Sequence, residues 1–174
     1  MRYHPERLLS ALLALSIQLT GNAMPNDVLS ISAHCLDNPA CIFTGSDMRI
    51  EVVIKNTGTA AVGYPLEYIQ QRGPNLRLID NVSEQSQVLK TGLAKHALKR
   101  EFTPIGPGQS VALHTIIKNT ELLLFRKEFV DVTAEIGVSA GIQVAGSEEA
   151  LPFKGGASLK IIGKDTLERE AQRR

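Results

Sequence analysis

One pattern limits what this chain can fold into more than any other: apolar residues that recur at every second position. Ile50, Val52 and Ile54 alternate with Glu51 and Lys55, and a period of two places the first set on one face of an extended strand. The pattern returns in Val111, Leu113, Thr115 and Ile117, after Pro107-Gly108-Gln109. Its longest run is Val130, Val132, Ala134, Ile136 and Val138, with Asp131, Thr133 and Glu135 on the other face. Leu159 and Ile161 form a short last strand after Gly155-Gly156, and Val28 to Ala33, Leu76 to Ile79 and Leu98 to Phe102 are weaker candidates. About seven or eight short strands, turn residues between them and no regular strand–helix alternation predict an all-β antiparallel sandwich. Only two stretches have helical character: Asn119-Thr120-Glu121, which caps a turn over Leu122 to Phe125 unless that apolar run is a strand, and the charged stretch Asp165 to Arg174, a frayed helix or a disordered tail.

The first residues read differently. Arg2 and Arg7 give a positive start, Leu8 to Leu19 is mostly apolar and too short to span a bilayer, and Gly21-Asn22-Ala23 supplies the small residues a signal peptidase reads. The expected organisation is a signal peptide over residues 1–23, one domain over 24–163 and a polar tail over 164–174. Met24-Pro25 follows the cleavage point where a lipid-anchored protein needs Cys. No later run is long and apolar enough to cross a membrane. Lys and Arg number 19 against 18 Asp and Glu, so the basic excess of a nucleic-acid binder is missing. Cys35 and Cys41 flank Leu-Asp-Asn-Pro-Ala. An even count at close spacing in an exported chain favours one local disulfide, and Asn38-Pro39 turns the chain between them. The expected location is the periplasm or the outside of the cell.

The segment Ile50-Glu51-Val52-Val53-Ile54-Lys55-Asn56-Thr57-Gly58-Thr59-Ala60, followed by Pro107-Gly108-Gln109-Ser110-Val111, resembles the immunoglobulin-like domains of bacterial secreted and periplasmic proteins. In those domains a strand ends in Asn-x-Gly, and a Pro-Gly-[Glu/Gln]-Ser turn opens a later one. The resemblance implies an immunoglobulin-like sandwich and says little of function. The chain has no Trp, and its Cys pair is too close to bridge two sheets as in antibody domains.

Motifs of catalysis are few. Gly45-Ser46 and Gly146-Ser147 lack the Gly-x-Ser-x-Gly frame of a nucleophile elbow. Gly106-Pro107-Gly108 has Pro where a phosphate loop needs amide donors. Glu148 and Glu149 are neighbours, so they point in different directions rather than facing each other across a cleft. His114 is out of phase with Leu113 and Thr115 and should face solvent or a partner. The best candidate for a binding surface is Gly63 to Asn75, with Tyr64, Tyr68 and Arg72 as anchors, because Tyr and Arg combine large area with a polar tip. The long polar stretch Asp80 to Arg100 is a second candidate.

The expected function is a non-catalytic exported binding module acting on another protein of the envelope or outside, an inhibitor or toxin-neutralising protein for example. No cofactor, metal, nucleic acid or membrane is called for. Two alternatives stand beside it: a metal or small-ligand carrier using His34, Cys35, Cys41 and Met48, and a hydrolase whose catalytic residues are dispersed through loops.

Overall fold

Alternation becomes burial in the strand β3, Met48–Asn56. Met48, Ile50, Val52, Ile54 and Asn56 are buried while Arg49 and Lys55 are exposed. The computed structural model describes residues 28–125, 129–147 and 149–173; the expected signal peptide over 1–23 lies outside them. β3 is the centre of a three-stranded antiparallel sheet, between β1 (Leu29–Cys35) and β8 (Ser110–Ile117). Ile31 pairs with Ile54, and Leu113 with Val52.

The second layer is built on a long hairpin, β9 (Asp131–Val144) and β10 (Leu151–Gly163). The far edge of β9 is shared. β5 (Asn75–Asp80) runs beside its first half and carries β6 (Ser86–Val88). β4 (Val62–Tyr64) takes its end and carries β7 (Thr103–Ile105). β2 (Ile42–Phe43) lies parallel to the end of β10. Ile50, Val52, Ile54, Leu113 and Ile117 of the first sheet share one core with Leu78, Ile136, Val138, Ile142, Phe153 and Ile161 of the second. At about 1.5–3 kcal/mol for each large apolar side chain removed from water, this core dominates the stability.

Three local structures differ from the sequence expectation. Leu98 to Phe102 is not a strand: a 3-10 turn covers His96–Arg100 and buries Leu98 alone. A helix, α1, occupies Leu66–Arg72. Gly155-Gly156 does not precede the last strand but lies inside it. A Cβ at Gly155 would stand 2.8 Å from Ile31 Cγ1 and 2.8 Å from the Phe153 ring. Glycine there lets β1 of one layer press against β10 of the other, a use of small residues for close approach rather than for turning. Among the described residues there are two further short helices, α2 at Asn119–Leu122 and α3 at Lys164–Gln172.

The two segments that carry the sequence resemblance meet at Asn56, which is fully buried. Its Nδ2 donates to the carbonyls of Ala60 and Ile105, each at 2.8 Å, and its Oδ1 accepts from Gly58 N at 2.9 Å. Its backbone N–H donates to Gln109 O, and its carbonyl accepts from Gly108 N, both at 2.9 Å. Gly108 has φ +71°, which glycine adopts at no steric cost. A buried amide with every polar atom bonded fixes two turns at once.

Cys35 and Cys41 form a disulfide with Cα atoms 5.5 Å apart. Cys41 N donates to Asn38 O at 2.8 Å and Ala40 N to Asn38 Oδ1 at 3.0 Å, closing the turn. Asp37 and Arg49 form an exposed ion pair beside it, and the guanidinium's hydrogen bonds hold the Asp37 carboxyl below its ordinary value. The bridge spans the point where the chain leaves the first sheet at β1 and enters the second at β2. Such bonds persist in oxidising compartments.

Candidate functional site

Pro65 precedes α1, where its missing N–H costs nothing, and Gly73, with φ +79°, ends it by donating to Ile69 O at 2.8 Å. Glu67 in the first turn and Arg72 in the last both suit the helix dipole. Ile69 is buried inward, while Tyr68 and Arg72, four residues apart and so on one face, are half-buried. Arg72 Nη2 donates to Asn75 Oδ1 at 3.1 Å, which steadies the guanidinium.

The segment 89–100 wraps this helix as a strap. Leu89 is buried and its N–H donates to Leu76 O at 2.8 Å; Gly92 N donates to Arg72 O at 2.6 Å. A Cβ on Gly92 would meet Gln71 O at 2.9 Å, so only glycine fits so close to the helix end. The 3-10 turn, held by buried Leu98, then sets Lys99 Nζ 5.3 Å from the centre of the Tyr68 ring. At an exposed site such a pair contributes about 0.5–1 kcal/mol.

Tyr68, Arg72, Asn75 and Lys99 form one side of a groove of about 610 Å³. Its other side is the tip of the β9–β10 hairpin, including Ala140 and Pro152. The groove therefore offers a ring, two cations, an amide and a small apolar floor, and none of its lining residues is acidic. Two of the three expected anchors, Tyr68 and Arg72, are thus brought together, and the second candidate segment adds Lys99. The helical spacing that unites Tyr68 and Arg72 is present in the sequence, but it goes unread where strands are expected on either side.

Tyr64 is a correction. It ends β4 in phase with Val62, so the period of two turns it inward, and it is fully buried. It cannot touch a partner. Its hydroxyl has no hydrogen-bond partner among the described residues, and burial raises the phenol well above its ordinary value.

The carrier alternative loses its sulfur ligands. Cys35 and Cys41 are bonded to each other, Met48 is buried, and His34 is on the opposite face of β1 from Cys35. Instead, the register sets His34, Glu51 and His114 side by side across β1, β3 and β8. The two imidazole Nε2 atoms each lie 3.1 Å from a different oxygen of Glu51. His114 is exposed, as its phase requires. Gln70 of α1 seals the sheet edge there, donating from Nε2 to His114 O at 3.1 Å and accepting from His114 N at 3.2 Å. Among the described residues, no three His, Cys, Asp or Glu side chains are placed to hold a metal ion.

No family model and no curated protein matches the chain. Among solved structures, the chain is similar to a structural-genomics target at 9% identity and TM-score 0.38, covering 78% of this chain and 85% of that one. It is also similar to part of a β-glucosidase from Listeria innocua, at 11% identity and TM-score 0.33, where 76% of this chain matches 16% of the enzyme. A protein from Archaeoglobus fulgidus is similar at 12% identity and TM-score 0.30, covering 75% and 94% of the two chains. Likenesses this distant carry no argument about function.

Proposed function

We propose that this protein is a non-catalytic binding module of the periplasm or the secreted fraction, with an immunoglobulin-like strand order, that engages another protein through the groove between α1 and the β9–β10 hairpin. This reading is supported by the orders β1-β3-β8 and β5-β9-β10, which are those expected of the A-B-E and C-F-G strands in such sandwiches. The Cys35–Cys41 bridge accords with an oxidising location. The observation that carries the binding role is the convergence of Tyr68 and Arg72 from α1 with Lys99 from the strap on one groove. Tyr and Arg are among the residue types that dominate the energetics of protein interfaces when seated in a pocket.

The test is recovery of a partner from an envelope extract by the immobilised protein and by its Tyr68→Ala and Arg72→Ala variants. The expected result is a band retained by the native protein and reduced at least about tenfold by each variant, since truncating an anchor costs about 2 kcal/mol or more. Equal recovery by all three removes the groove from the function.

A further inference from the structure

The charged residues that line the groove, Arg72 and Lys99, are of one sign. From Gln85 to Arg100 the chain carries Lys90, Lys95, Lys99 and Arg100 and no Asp or Glu. All four are exposed. Some cations elsewhere in the fold do have carboxylates in reach: Arg77 lies 3.6 Å from Glu135, Lys160 3.7 Å from Asp131 and Lys164 3.7 Å from Glu168. The four strap cations and Arg72 have no such partner among the described residues; Lys99 meets only the Tyr68 ring and Arg72 only Asn75. Arg72 and Lys99 thus bring two cations without a carboxylate partner among the described residues to a groove whose lining has no acid, in a chain whose formal net charge is only +1. Leu93, between Lys90 and Lys95, is 99% exposed.

We propose that the groove and its strap receive an acidic polypeptide segment interspersed with apolar side chains. This rests on the binding role proposed above and names the chemistry of the partner. Carboxylates of the segment meet Arg72 and Lys99, where the guanidinium is already steadied by Asn75 and the ammonium by the Tyr68 ring. Apolar side chains of the segment lie on the floor of Ala140 and Pro152, and Leu93 adds an apolar contact flanked by lysines. A nucleic-acid backbone would use the cations but leave that apolar floor idle, whereas an acidic peptide uses both. Steering by the unpaired lysines speeds encounter and makes binding weaken as salt rises.

The test uses the whole protein and a fluorescent peptide alternating Glu and Leu, with its Gln-for-Glu analogue and phosphatidylglycerol vesicles as the other arms. Anisotropy should show the Glu peptide bound at least about tenfold more tightly than the analogue, with affinity falling as salt is added. The double variant Lys95→Glu/Lys99→Glu should lose at least about tenfold, while Lys55→Glu, on the outer face of the other sheet, should not. Thermal melts establish that each variant folds. Equal binding of the two peptides, or binding to vesicles but to neither peptide, overturns the proposal. If envelope partner recovery is lost with Tyr68→Ala but survives Lys95→Glu/Lys99→Glu, the acidic class is wrong and the groove still binds. If recovery survives both, the groove is not the binding surface and both proposals for it fall.

Discussion

Replacing Tyr64 by phenylalanine removes one oxygen from the interior and should make this protein more stable. The ring is fully buried and its hydroxyl has no hydrogen-bond partner among the described residues. Burying a hydroxyl unpaired costs about 1–3 kcal/mol. Deleting it leaves a hole on the order of 10–20 Å³, which at roughly 24 cal/mol per Å³ costs about 0.2–0.5 kcal/mol. The net gain is about 1 kcal/mol, or about 3–4 °C in Tm for a domain of this size. A second signature comes from pH. Burial raises the Tyr64 phenol, so the folded state holds a proton that the unfolded chain releases above about pH 10. The stabilisation tied to that proton is complete below the unfolded value and is lost as pH climbs above it. The slope is about 1.4 kcal/mol per pH unit. Urea melts of the native and Tyr64→Phe proteins at neutral pH, and at steps from about pH 9 to 11, measure both effects. The difference between the two proteins cancels the other alkaline groups. A Tyr64→Phe protein that is less stable by more than about 1 kcal/mol at neutral pH means the hydroxyl is bonded, to water for example. Parallel alkaline profiles mean the phenol is not shielded from solvent; either result refutes the reasoning.

Asn56→Ala should cost about 3 kcal/mol in urea melts, because three side-chain hydrogen bonds vanish and the Ile105 carbonyl loses a partner inside the protein. A loss under about 1 kcal/mol would show that the two turns do not depend on that amide. Cys35→Ser with Cys41→Ser should cost about 2 kcal/mol by the loop-entropy estimate; reductant should lower the Tm of the native protein and leave the double variant unchanged. Gly155→Val should cost about 2 kcal/mol or more, since its side chain meets Ile31 and Phe153 at once. Ile31→Ala in the same chain should recover part of that loss, and no recovery would mean the layers do not touch there.

The core strands were legible because burial on one face leaves a period-two record. Ile50, Val52 and Ile54, then Leu113 and Ile117, then Val132, Ala134, Ile136 and Val138 are all inside. The phase of His114 was legible for the same reason. The lining of the candidate groove was legible only in part. Tyr68 and Arg72 were chosen for residue type alone, and so was Tyr64, which the same choice misplaced because type does not say which way a strand end faces. Lys99 was hidden inside a long polar segment. Nothing local marks it, since its placement depends on Leu98 and Leu89 finding the core and Gly92 finding the end of α1. The row of His34, Glu51 and His114 joins three distant segments and follows only from strand register. Gly155-Gly156 misled for a physical reason: glycine serves turns and close approaches alike, and only the presence of Ile31 opposite distinguishes them.

By itself, the sequence determined that this chain forms extended strands with one greasy face, that Asn56 and Gly108 sit at turns, and that two cysteines are near enough to join. Those are local matters, settled by residue period, backbone freedom and short chain distance. Which strands become neighbours, which tyrosine reaches water and which lysine stands over it were decided by packing. Side chains far apart in the chain compete there for one interior, and the outcome belongs to all of them together.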